Sequence, residues 1–205
     1  MSSKVVYTDF DGTYIKGDSY IRSLLFFGGY FNFIKSLPEL LIITVGYFLK
    51  SITRDEAKKR SFRLIYKGMD TDIIGRKLND FYRQMHVFPK VKKKISELKG
   101  IGCKVIVVTA SPDIYMNFIA ETFGFDECIC TETEKNGTEL TGRLSGNNCN
   151  FKEKVERIKK SKYYQPDAQI IVFGNSKGDE EMFKISTEFY FVDKSGNLKK
   201  GKTPW

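Results

Sequence analysis

The chain has 205 residues, 34 Lys+Arg against 25 Asp+Glu, and a formal net charge of +9. At this length folding buries about 70% of the unfolded chain's surface, so neither disulfides nor a structural metal is required, and one domain of ordinary size or a core with a small insertion is expected. The positive charge favours phosphoesters or acidic membrane surfaces as partners. It is spread through the chain in KK and KKK groups rather than gathered into one stripe, so no nucleic acid is expected.

The elements follow in order. KVVYTD (4–9) reads as a short apolar strand ending in Asp9. Residues 18–88 are mostly helical in pattern, with a break expected at Ser36–Pro38, because proline restricts itself and its neighbour. Thr53 before DEAKKRSFRLIY is an N-cap signal, and Gly68 stops that helix before MDTDIIGRKLNDFYRQM opens another. VKKKISELKG is an amphipathic helix leading to the strand CKVIVVT (103–109), followed by a helix in SPDIYMNFIAETFG. Asn136-Gly137 between two β-prone runs signals a hairpin. FKEKVERIKK is helical, AQIIVFG (168–174) is a third buried strand, GDEEMFKIS is a helix and EFYFVD a last strand. Apolar strands alternating with helices define an α/β class with a parallel sheet covered on both faces.

Cys103, Cys128, Cys130 and Cys149 form no CxxC pair and read as reduced thiols of a cytoplasmic protein. The opening MSSKVVYTDFDG carries no signal-peptide pattern. Residues 20–50 are the most apolar region, but Arg22, Lys35, Pro38 and Glu39 interrupt them, and a membrane span is not expected.

Ligands of such a sheet bind at the carboxyl ends of its strands. Those ends read Asp9-Phe10-Asp11-Gly12-Thr13, Thr109-Ala110-Ser111 and Gly174-Asn175-Ser176-Lys177-Gly178-Asp179. Lys152 and Lys154 open the helix before the third of them. Carboxylates crowded at one rim raise each other's pKa unless a cation sits among them, which argues for a hard, oxygen-seeking ion such as magnesium. The plainer alternatives are turn-forming for Asp9 and Asp11, helix capping for Thr109, and a solvated helix face for either lysine.

DFDGT, a strand-ending Thr, a following Lys and GNSKGD in this order resemble the haloacid dehalogenase superfamily of aspartate-nucleophile phosphatases. The helical stretch after the first motif is similar to the cap of the phosphoserine-phosphatase-like branch. The resemblance implies a Rossmann-like core, 1–13 and 89–205, and a helical cap, 14–88. It implies Asp9 as nucleophile, Asp11 as general acid and base, and Thr109 with the backbone N–H groups of Phe10 and Ala110 on the phosphoryl oxygens. Magnesium would be held by Asp9, Asp11, Asn175 and Asp179. The family's fourth motif usually begins Gly-Asp, and Asn175 in that place removes a charge, so the metal site is expected to be weakened. The KxKV pattern of phosphoserine phosphatases selects Lys152 for the phosphoryl group, whereas the GxxKV pattern of the wider subgroup selects Lys154. Asp18 either lines the cap side of the pocket or is a turn aspartate, and His86 is expected at the surface or a hinge.

Substrate choice would lie in the cap. Residues 20–50 either pack its helical core or present an apolar surface to lipid, flanked by Lys50, Arg54, Lys58, Lys59 and Arg60. The second option resembles the phosphatidylglycerophosphate phosphatases and implies peripheral contact with the inner face of a membrane. A small soluble phosphomonoester, or a non-catalytic module that binds phosphorylated ligands, are the alternatives.

Overall fold

The computed structural model describes residues 4–203; the ends of the expected core, 1–3 and 204–205, lie outside the described residues. Among the described residues seven strands form one sheet in the order β4-β3-β2-β1-β5-β6-β7. The strand β1 (Lys4–Thr8) lies at its centre, paired in parallel with β2 (Lys104–Pro112) and β5 (Gln169–Gly174). Strands β3 (Glu127–Asn136) and β6 (Glu188–Val192) extend the parallel set. The edges are antiparallel: β4 (Glu139–Ser145) closes the Asn136-Gly137 hairpin, and β7 (Leu198–Lys200) turns back on β6. The α/β class is as the sequence implies, but the short edge strand β7 is an addition to it.

Alternate residues of the central strands face opposite sides. Val6, Val105, Val107, Ile171 and Phe173 enter one core, completed by α4 (Pro89–Gly100) and α5 (Asp113–Thr122). Val5, Tyr7, Ile106, Val108 and Val172 enter the other, under α6 (Lys152–Ile158) and the short α7 (Glu180–Lys184). Near-continuous burial on both faces explains why these strands read as unbroken apolar runs.

Between β1 and α4 the chain forms α1 (Ser19–Phe48), α2 (Arg54–Tyr66) and α3 (Thr71–Tyr82). Leu24, Phe27, Phe62, Ile65, Tyr66, Ile74 and Phe81 of these helices join the first core, where Phe27 and Phe81 pack on Tyr115. The insertion is also stitched to the hairpin. Gly68 N donates to Leu140 O at 2.8 Å, Leu140 N to Met69 O at 2.9 Å and Thr71 N to Thr138 O at 2.8 Å.

The break in α1 is not at Ser36–Pro38. Pro38 lies within the helix, and the chain kinks at Gly29 with φ 71° and ψ 160°. Gly28 sits against Ile65, where an added Cβ would lie 3.0 Å from Cγ2, so the turn comes where the packed segment ends. The first segment is built into the core, with Ser19, Ser23, Leu24, Phe27 and Gly28 buried. Beyond the kink most of the apolar side chains are exposed, Phe31 by 87%, Phe48 by 75% and Leu49 by 74%. By length and composition α1 could cross a membrane, although the burial of its first turns ties that part to the sheet.

The backbone at Gly29 is accessible almost only to glycine, at a penalty of about 1–3 kcal/mol for other residues. Gly75 stands in mid-α3 with nothing within 4 Å of an added Cβ. Urea unfolding should therefore show Gly29→Ala destabilising by about 1–3 kcal/mol and Gly75→Ala stabilising by about 1 kcal/mol.

Candidate active site

The carboxyl ends of β1, β2 and β5 meet at the floor of a cavity of about 690 Å³, roofed by α1 and α2. Asp9 follows β1, and its N–H continues the ladder to Phe173 O at 2.9 Å. A tight loop comes next, in which the carbonyl of Phe10 accepts from the N–H groups of Tyr14 at 2.9 Å and Ile15 at 3.0 Å. Gly12 has φ 74°, and a Cβ there would overlap the Asn175 side-chain amide, so this glycine lets the first and third strand ends approach. Thr13 Oγ1 donates to Asp9 Oδ2 at 2.8 Å. Phe10 contributes backbone alone, since its ring is buried beside Tyr14 and Phe123.

Lys154, 2% exposed, donates to Asp9 Oδ1 and to Asp179 Oδ1, both at 2.7 Å. Lys152 is exposed and does not line the cavity. Of the two lysines, the structure brings Lys154 to the rim. Its helix starts from Phe151, the glycine position of the GxxKV pattern, which holds a strained φ of 48° and ψ of −125°. Asp179, 1% exposed, is fully engaged: its Oδ2 accepts from the N–H groups of Asn175 and Ser176, both at 3.0 Å, and from Ser176 Oγ at 3.1 Å. It orients the β5 loop and the lysine rather than offering an open ligand position.

Asp11 projects into the same space. Its Oδ1 accepts from Ser19 N at 2.5 Å and its Oδ2 from Ser111 Oγ at 2.7 Å, with Thr109 Oγ1 farther off at 3.5 Å. Thr109 Oγ1 accepts from Ser111 N at 3.0 Å and spends its own hydrogen only on the long contact to Asp11 Oδ2. Burial first, and then the charge of Asp18, push the Asp11 carboxyl up to about 6. Asp9 is also pushed up, by burial and by Asp179, against the opposing pull of Lys154. Lys154 is raised by the two carboxylates that hold it, despite its own burial.

Asp18 lies exposed at the cavity margin and caps α1, accepting from Ile21 N at 2.9 Å, so both of its expected placements coexist. His86 is exposed, and its carbonyl accepts from Lys16 N at 2.7 Å. Sequence reasoning missed Ser19 and Ser111, which bond each other at 2.9 Å as well as Asp11. Ser111 carried a signal, being two residues beyond Thr109 on an extended segment. It also missed Asn150 in the cavity wall, whose buried Nδ2 has no partner among the described residues and so offers a donor to an anion. Lys58 is corrected from a surface cation to a buried side chain of the cavity.

Asp9 and Asp179 share Lys154, and Asp11 adds a third carboxylate to the floor, where a divalent cation would offset its charge. Among the described residues no three acidic, histidine or cysteine side chains form a ready cage. The oxygen donors that remain are the Asp9 carboxylate, the Asp11 carbonyl and the amide of Asn175, whose side chain has no hydrogen bond among the described residues. Such a set fits magnesium, which needs few protein ligands beside water and phosphate.

A family model for haloacid dehalogenase-like hydrolases matches residues 6–184. The chain belongs to that family. It is 28% identical over 188 residues to protein CicA of Caulobacter vibrioides, covering 88% of this chain and 82% of the relative. It is 26% identical to phosphoserine phosphatase of Archaeoglobus fulgidus over 132 residues, which are 63% of this chain and 37% of that one. In fold it is similar to a Bordetella pertussis Tohama I protein of unknown function, with a TM-score of 0.80 at 17% identity over 92% of this chain and 89% of the other. A substrate-bound phosphoserine phosphatase gives a TM-score of 0.62 at 19% identity, covering 92% and 85%. In this member of the haloacid dehalogenase-like hydrolases the first helices follow directly after the DFDGT loop.

With Asp11 raised to about 6 from the ordinary 3.8, the folded chain keeps a proton that the unfolded chain has released, and stability is lost as pH rises between those values. In magnesium-free buffer, Asp11→Asn should therefore gain about 2 kcal/mol over wild type at pH 7.5 and little at pH 4, as read by urea unfolding.

Proposed function

We propose that this hydrolase is a phosphomonoester phosphatase working through an aspartyl-phosphate. The observation that carries the reading is the buried Asp9, held at the cavity floor by Lys154 and Thr13, with Asp11 two residues on, its carboxyl raised to about 6 and so able to exchange a proton near neutral pH. An Asp9 oxygen attacks phosphorus in line, the bond from phosphorus to the alcohol oxygen breaks, and Asp11 delivers its proton to that oxygen. Asp11 then takes a proton from the water that attacks the acyl phosphate, releasing inorganic phosphate and restoring Asp9. Lys154, the Thr109 hydroxyl and the backbone N–H groups of Phe10 and Ala110 hold the equatorial oxygens as charge develops. A magnesium ion held by Asp9, the Asp11 carbonyl and Asn175 would offset negative charge between nucleophile and phosphoryl group. Asp179 keeps Lys154 and the Asn175 loop in place.

In this reading residues 14–88 form a cap, and the alcohol is part of a lipid phosphate such as phosphatidylglycerophosphate. Support comes from the roof of the cavity, where Ile21, Leu24, Leu40, Ile43 and Tyr47 give the leaving group an apolar wall. It comes also from the outer length of α1, where Tyr30, Phe31, Leu41, Ile42 and Phe48 are exposed, since large apolar surfaces of this kind mark protein or membrane contacts. Lys50, Arg54, Lys59 and Arg60 are exposed nearby, and each cation near an anionic surface adds about 1 kcal/mol. The enzyme would then work in the cytoplasm against the inner face of a membrane. The similarity to phosphoserine phosphatase favours a small soluble ester as the second reading. Against it, Ala110-Ser111 stands where the phosphoserine enzymes carry Gly-Gly.

Phosphate release from micellar phosphatidylglycerophosphate, phosphoserine and p-nitrophenyl phosphate across a magnesium titration tests both readings. Asp9→Asn should lower release at least about 10³-fold, and Asn175→Asp should lower the magnesium needed for half activity by about tenfold. Loss of magnesium dependence, or activity surviving in Asp9→Asn, would exclude the mechanism. Silence of the wild type on every ester would favour a ligand-binding module. The lipid reading has its own check in sedimentation with anionic vesicles. Phe31→Ser/Phe48→Ser should weaken binding at least about tenfold and leave p-nitrophenyl phosphate hydrolysis unchanged.

A further inference from the structure

Lys58 is 9% exposed and reaches from α2 to the end of β2. Its ammonium donates to the Ala110 carbonyl and to Asn148 Oδ1 at 2.5 Å, and lies 3.3 Å from Thr131 Oγ1. Three donors thus face three oxygens, which leaves none for a substrate. Among the described residues Lys58 forms no ion pair. Asp55 reaches it through Asn148, whose Nδ2 donates to Asp55 Oδ1 at 2.7 Å. Burial pulls the ammonium down to about 8, although Cys149, Asp11 and Asp55 act in the other direction and Arg54 alongside it. A buried cation with neutral partners is unfavourable unless an anion is to be placed close by. The cavity that opens beside Lys58 and Ala110 is the one floored by Asp9.

The Ala110 carbonyl belongs to the peptide unit whose N–H, that of Ser111, donates to Thr109 Oγ1 at 3.0 Å. Thr131 Oγ1 donates to the same carbonyl at 2.6 Å. A charge placed on that carbonyl strengthens the N–H at the other end, because linked hydrogen bonds polarise one another. We propose that Lys58 is a positioning residue through which the seating of α2 on the sheet completes the phosphoryl site. It fixes and polarises the Ala110–Ser111 peptide, and so aims the Thr109 hydroxyl, while its unneutralised charge adds to the field that holds the phosphoryl dianion. The proposal rests on the phosphatase reading and adds to it that a residue of the insertion acts even on esters too small to touch the insertion.

The test uses the full chain, p-nitrophenyl phosphate as the small ester and inorganic phosphate as the binding probe. Lys58→Met removes the charge. The paired change Asp55→Asn/Asn148→Asp keeps the hydrogen bonds between those two side chains and the net charge, but sets a carboxylate directly on Lys58. In both variants kcat/KM should fall and the calorimetric Kd for phosphate should rise by about tenfold or more, with the paired variant's thermal midpoint within about 3 °C of wild type. Values within twofold of wild type in both variants would reduce Lys58 to a tether and overturn the proposal. A wild type that neither binds phosphate nor releases it from any ester overturns the phosphatase reading, and the proposal with it.

Discussion

Everything at this site depends on one buried ammonium. Lys154 is shared at 2.7 Å by Asp9, from the first strand end, and Asp179, from the third. An unpaired buried carboxylate is costly, and removing one partner of a buried pair leaves the other uncompensated. The lysine therefore does more than neutralise a nucleophile. It welds two strand ends that are more than a hundred and fifty residues apart into one rim. Asp179 passes that constraint on through its other oxygen, which gathers the turn from Asn175 to Ser176.

Much of this arrangement was legible because strand ends in an α/β sheet have a fixed destination. Asp9, Asp11, Thr109 and Asn175 could be brought together from apolar runs alone, and the structure places them around one cavity. The choice between Lys152 and Lys154 needed one further step. Val155 and Ile158 are the buried positions of α6, and Lys154 stands one turn before Ile158 on the same side. The same step recovers Lys58, read as a surface cation: Phe62 and Ile65 follow it at four and seven residues, which is the inward stripe of α2. In both helices adjacent basic residues hid the one that faces inward.

What the sequence could not supply were features decided by tertiary contact. Proline was expected to break α1, but an outer helix can bend around a lost hydrogen bond, whereas Gly28 is held by Ile65 and Gly29 is free to reverse. Strand β7 is three residues long and pairs with β6 after the turn from Asp193 to Asn197, too short to show a period. The backbone of Ser19 carries no side-chain signal at all, and its bond to Asp11 depends on where the insertion begins. That bond makes the first turn of α1 part of the floor rather than of the roof.

The stitching of the insertion to the β3–β4 hairpin has a mechanical consequence. The segment 68–71 is hydrogen-bonded to residues 138–140, much as an additional strand would be, and it joins α2 to α3. A rigid lift of all three helices from the sheet would have to break those bonds together with the Phe27–Phe81–Tyr115 packing. Ser19 adds a further tie, since its N–H donates to Asp11 at the start of α1. The length of α1 beyond Gly29 belongs to neither set of contacts, so the part of the insertion that exposes the most apolar surface is also the part least tied to the sheet.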